Sequence, residues 1–162
     1  MSEVSPNNTE NSLPEKGVVS QEKIEQLKPM VDRCQKVMSA AWLVRTFVKH
    51  SDEVDDFPEL NEMARTIFDV YRALETQTDD PQSYFTIVRK KLPKLKAAAV
   101  QFQKDAWHAS THTNFQQAAI CAIFVGEQLS ELLTEAERIV PRPAPPAIRL
   151  PGKPATDQKL EE

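Results

Sequence analysis

Glycine is almost missing from this chain. Three occur in 162 residues, at Gly17, Gly126 and Gly152, so a single one lies between residues 18 and 151. Glycine supplies the positive φ angles of tight hairpin turns and phosphate-cradling loops. A chain that forgoes it over such a length is poorly equipped for a hairpin sheet or a Gly-rich catalytic loop. Long apolar stripes at helical spacing occupy the same region, and they predict an all-α fold: an antiparallel up-down four-helix bundle over residues 20–140.

The first helix is expected over Ser20–His50, with Met30, Cys34, Val37, Ala41, Val44 and Val48 forming a heptad seam and Pro29 marking a start or a kink. The second follows the acidic turn SDEVDDFPEL, with Asp56 as N-cap, Pro58 in its first turn and the stripe Leu60, Met63, Ile67, Tyr71 and Leu74. Asp80-Pro81 reads as a cap followed by proline at the first position of a third helix. Its seam is Val88, Leu92, Leu95, Ala99, Phe102 and Ala106, and Pro93 is expected to kink or split it, because proline deletes a backbone hydrogen bond. The fourth begins near Ser110-Thr111 and carries Phe115, Ala118, Ala122, Val125, Leu129, Leu132, Ala136 and Ile139 before Pro141 stops it.

The ends read differently. Residues 1–19 are polar and acidic, too poor in apolar surface to offset the entropy of ordering, and are expected to be disordered. Residues 141–162 hold six of the 12 prolines and read as a Pro-rich disordered tail. The opening MSEVSPNNTENSLPEK lacks the apolar stretch of a secretory signal, and no apolar run approaches the roughly 18–20 residues of a membrane span. A cytoplasmic chain with no membrane association is expected. A net charge of −4 argues against nucleic acid as a partner.

Three features remain after the stripes are assigned. Trp42, Leu43 and Phe47 lie off the first helix's seam, which predicts an interface there with a second copy or another helical protein. Arg45 sits about 60° from the seam's centre and is expected to be partly buried against an acidic partner or an anion. The basic run Arg89, Lys90, Lys91, Lys94 and Lys96 lies level with Glu127, Glu131 and Glu135 of the last helix if the two pack antiparallel, so interhelical ion pairs and solvated faces account for it; no aromatic residue is interleaved for base stacking.

The three histidines form a separate candidate. An up-down topology brings His50, His108 and His112 to one end, beside Asp55 and Asp56 of the acidic turn. Three ring nitrogens with a carboxylate are a sufficient donor set for one divalent metal. Cys34 and Cys121 are too distant along their helices to serve as nucleophiles with these histidines and read as core residues.

These residues carry three resemblances. An early His50 with a later His108-x3-His112 resembles the DinB-like metal-dependent enzymes, in which three histidines from different helices hold a metal; the TNFQQ that follows lacks the Arg-Gly-Gln run of that family. Arg45-Thr-Phe-Val-Lys-His50 resembles the Arg-x4-His nuclease motif of HEPN domains, implying RNA cleavage, though on the first helix rather than a late one. The stretch AWLVRTFVKHSDEVDDFPEL is similar to short bacterial helical proteins, some carrying an amidohydrolase label. True amidohydrolases are (β/α)8 barrels of about 250 residues or more, beyond this chain in length and strands. The functional expectation is a non-enzymatic, homodimeric bundle with no cofactor that works through protein contacts. The alternatives are a small enzyme with one divalent metal at the histidine end and an HEPN-like ribonuclease.

Overall fold

The computed structural model describes residues 19–142; both tail readings fall almost wholly outside these residues. The described chain is all-α, without strands. Helix α1 spans Gln21–Lys49, the short α2 spans Glu53–Asp56, a 3-10 turn covers Pro58–Leu60, α3 spans Asn61–Glu75, α4 spans Pro81–Ala109 and α5 spans Thr113–Ile139. No helix among the described residues is long and apolar enough to cross a membrane.

Each long helix buries one face. The predicted stripe of α5 is buried from Phe115 to Ala136, and Ile139 is half-buried. On α4 the whole predicted seam is buried, extended toward the start by Tyr84 and Phe85. On α1 the buried face is broader than the heptad seam: Leu27, Val31 and Met38 join it, while Val37 is only half-buried. The cause is that α1 packs extensively on both α5 and α3, so two adjoining stripes are covered rather than one. The other extensive pairings are α4 with α5 and α3 with α4, and α1 also meets α4.

Named contacts fix the levels at which the helices meet. The Phe47 ring near the end of α1 lies edge-on to Phe115 at the start of α5, centroids 4.9 Å apart. Arg33 Nη1 of α1 lies 3.1 Å from Glu135 Oε2 of α5. Arg89 Nε of α4 lies 2.6 Å from Glu137 Oε1 of α5, and Lys94 Nζ lies 3.7 Å from Glu62 Oε1 of α3.

The helix ends follow local chemistry. Asp80 caps α4: its Oδ1 accepts from the Ser83 backbone N–H at 3.1 Å and its Oδ2 from the Ser83 hydroxyl at 2.6 Å. These bonds hold the Asp80 carboxyl below the usual carboxylate range. Two expectations need correction. Asp56 does not cap the second long helix; it closes α2, and α3 follows the 3-10 turn without a side-chain cap. Pro93 does not split α4, which is continuous from Pro81 to Ala109. Pro93 lies on the exposed side, where water can satisfy the carbonyl its missing N–H leaves free, while Leu92 and Leu95 stay anchored in the core.

Candidate functional site

The off-seam residues of α1 have separate fates. Trp42 is half-buried against α3, its ring 4.6 Å from Tyr71 and 6.4 Å from Phe68 by centroids. Phe47 is engaged with Phe115 on the other flank. Leu43 alone points outward, 72% exposed. Two of the three residues expected at an interface thus pack within the chain.

Arg45 is half-buried, as expected, but it takes part in no ion pair among the described residues. Its guanidinium carbon lies 4.4 Å from the Trp42 ring centroid and 5.2 Å from that of Phe68. The rings do what a carboxylate was expected to do. Their negative faces attract a weakly hydrated, planar cation, worth about 0.5–2 kcal/mol depending on desolvation. Arg45 also lines an open groove between α1 and α3 of about 360 Å³ with Lys49, Asn61, Ala64, Arg65, Phe68 and Asp69.

His50 is the C-cap of α1, its backbone N–H directed to the Phe47 and Val48 carbonyls. The His108 ring lies edge-on to Phe57, 5.7 Å between centroids. His112 is the N-cap of α5: its Nδ1 accepts from the Asn114 backbone N–H at 3.1 Å, which leaves any ring proton of the neutral form on Nε2. Asp55 and Asp56 face solvent on α2. The segment does reach the α4–α5 turn, where the Ser110 hydroxyl donates to Glu53 Oε1 at 3.3 Å. Proximity of helix ends does not become convergence of side chains. Among the described residues no three His, Cys, Asp or Glu side chains form a group that could hold a metal ion.

The cysteines are packing residues in the structure. Cys34 is fully buried, and burial pushes its thiol up to about 12; Cys121 is half-buried and raised by the same cause. Of the basic run of α4, two members form ion pairs, with carboxylates other than Glu127, Glu131 and Glu135, and Lys90 and Lys96 are exposed to solvent. Arg89 pairs with Glu137 and holds its carboxyl below the usual range, while Lys94 turns to α3. The Lys96 stem lies over Gly126.

Large apolar residues outside the predicted stripes are also exposed on α4 and α5. Trp107 and Val100 of α4 are 59% and 48% exposed, and Ile120 and Phe124 of α5 are 51% and 49% exposed. Val100 and Trp107 are seven residues apart and Ile120 and Phe124 four apart, so each pair shares a side of its helix. α4 and α5 are packed side by side. The signal is present in the sequence as apolar residues off the stripes, Val100, Trp107 and Phe124 by one position and Ile120 by two, but unbroken stripes already account for both helices.

No family model, curated protein or solved structure matches the chain. Its surfaces are therefore the ground for a functional reading.

Proposed function

We propose that this chain is a non-enzymatic helical module that works through protein contacts, first of all with a second copy of itself. In this reading α1 and α4 run one way and α3 and α5 the other, an antiparallel up-down bundle. The levels of Phe47 with Phe115, Arg33 with Glu135, Arg89 with Glu137 and Lys94 with Glu62 support that topology, since later residues of one helix meet earlier residues of the next.

The observation that carries the reading is the set Trp107, Val100, Ile120 and Phe124 on adjoining helices. Large exposed apolar residues on neighbouring helices are candidate interaction sites. The charge beside them favours a second copy as the occupant. The α4 side carries exposed Lys96 and Lys104, and the α5 side carries exposed Glu127 and Glu131. A two-fold axis can lay the basic α4 side of one protomer on the acidic α5 side of the other, which favours a second copy as the occupant.

Sedimentation equilibrium at micromolar concentration tests the reading. A dimer is expected, with the Trp107→Glu, Ile120→Glu double variant a soluble monomer of unchanged helicity and Leu43→Glu still dimeric. A monomeric wild type overturns self-association. A dimer lost on Leu43→Glu and kept in the double variant moves the interface to α1.

A further inference from the structure

The α1–α3 groove gathers positive charge in a chain whose net charge is negative. Arg45 and Lys49 come from α1, one turn apart, and Arg65 comes from α3 across the groove. None of the three is in an ion pair among the described residues. Asp69 is the one carboxylate among the lining residues, so three cations against one anion leave a formal surplus of two positive charges. The Asn61 side chain adds an uncharged amide donor at the same wall.

Arg45 is more than a surface charge. With its guanidinium carbon over the Trp42 and Phe68 rings, its side chain is held in place on one side, and its N–H edges are not used by any hydrogen bond to the described residues. A guanidinium fixed in plane, with free edges, is pre-organised for bidentate contact with a phosphate or carboxylate, and little rotamer entropy remains to be lost. Lys49 and Arg65 supply further donors from two directions. The Phe68 ring, 40% exposed, offers the same groove an apolar wall. A volume of about 360 Å³ falls within the range of small-ligand sites, about 300–1,000 Å³.

We infer that this groove binds a small phosphomonoester bearing a planar or apolar group, with the phosphate held by Arg45, Lys49 and Arg65 and the remainder laid against Phe68. A mononucleotide is the simplest member of that class. The site lies between α1 and α3, away from the α4–α5 face, so it stands whether or not the chain self-associates.

Isothermal titration calorimetry on the full chain is the test, with adenosine monophosphate, inorganic phosphate and adenosine as separate probes. Saturable binding of the monophosphate is expected, competed by inorganic phosphate, with adenosine alone at least about tenfold weaker because it lacks the charge-assisted bonds. Arg65→Gln and Lys49→Gln, both on solvent-facing side chains, should each lower affinity about tenfold at unchanged melting temperature. Phe68→Ala should weaken the monophosphate and leave inorganic phosphate unaffected. Inorganic phosphate binding as tightly as the monophosphate overturns the planar-group half of the inference. No saturable heat from either up to about 10 mM, far weaker than specific small-ligand binding, or wild-type affinity in the two Gln variants, overturns the site.

Discussion

Substituting Gly126 by alanine sets two effects of similar size against each other. Gly126 is buried inside α5, at a level where the Lys96 side chain crosses it. Glycine in a helix interior costs about 0.8–1.0 kcal/mol relative to alanine. A Cβ at this position would lie 3.1 Å from Lys96 Cγ, with Lys96 Cα at 3.8 Å and Cβ at 4.0 Å. The tight contact is therefore with the stem of a solvent-exposed side chain, not with backbone. Moving that stem by a few tenths of an ångström costs at most a partial rotamer strain, about 0.5 kcal/mol. Propensity wins, and Gly126→Ala should stabilise the protein by about 0.5 kcal/mol, raising Tm by about 1–3 °C. Gly126→Val sends a second methyl toward the Lys96 backbone, which cannot yield so cheaply, and should cost about 1–3 kcal/mol. Urea and thermal unfolding followed by far-ultraviolet circular dichroism measure both. In a Lys96→Ala background Cγ is gone, and Gly126→Ala should gain the full ~1 kcal/mol; the difference between backgrounds is the contact cost. A loss of stability in Gly126→Ala, or an identical gain in the two backgrounds, would refute the reasoning.

Asp80→Ala removes the α4 cap and should cost about 1 kcal/mol at neutral pH. Because the folded carboxyl titrates below its ordinary value, this contribution is complete above the unfolded pKa of about 3.9 and is lost as pH falls through the folded one. The wild type and the variant should therefore converge in stability in acid; a gap that widens there would be the wrong sign. A thiol reagent at neutral pH should modify Cys121 in the native protein and spare Cys34, whose labelling should follow global unfolding and accelerate with urea. Equal labelling rates for the two would contradict the burial of Cys34.

The parts of the fold legible in sequence were those that a single helix decides. Asp80 capping α4 is a matter of four consecutive residues, and the α5 stripe depends on that helix having one apolar face. The α1 seam was misplaced by one flank because the width of its buried face depends on two neighbours, α3 and α5, and Met38 and Val37 differ in burial only through them. Asp56 went astray for a related reason: a two-step entry through α2 and a 3-10 turn leaves no single residue to cap α3. Arg45 shows the limit for sites. Its angle on the helix announces partial burial, but the two rings that receive it are Trp42, on its own helix, and Phe68, on α3, and sequence spacing alone favours a carboxylate. The histidines show a second limit: sequence places them at helix ends, but the local role of each, His50 as C-cap of α1, His108 edge-on to Phe57 and His112 as N-cap of α5, depends on neighbours outside its own helix or on cap geometry.

Pro93 has a consequence for how the molecule breathes. An amide at position 93 would have donated to the carbonyl four residues earlier, and its absence interrupts the hydrogen-bond ladder near the middle of α4. Up to that point, opening one turn of a helix weakens the next through the ladder itself. Across Pro93 the ladder is thinned by one bond, so core side chains carry more of the coupling between the halves of α4, with Val88 and Leu92 on one side and Leu95 and Ala99 on the other set into the same core. Amide exchange should then resolve α4 into two segments, residues 81–92 and 94–109, each with its own protection and each tied to the helices it packs against. A helix continuous in shape has, in this respect, a weak joint near its middle.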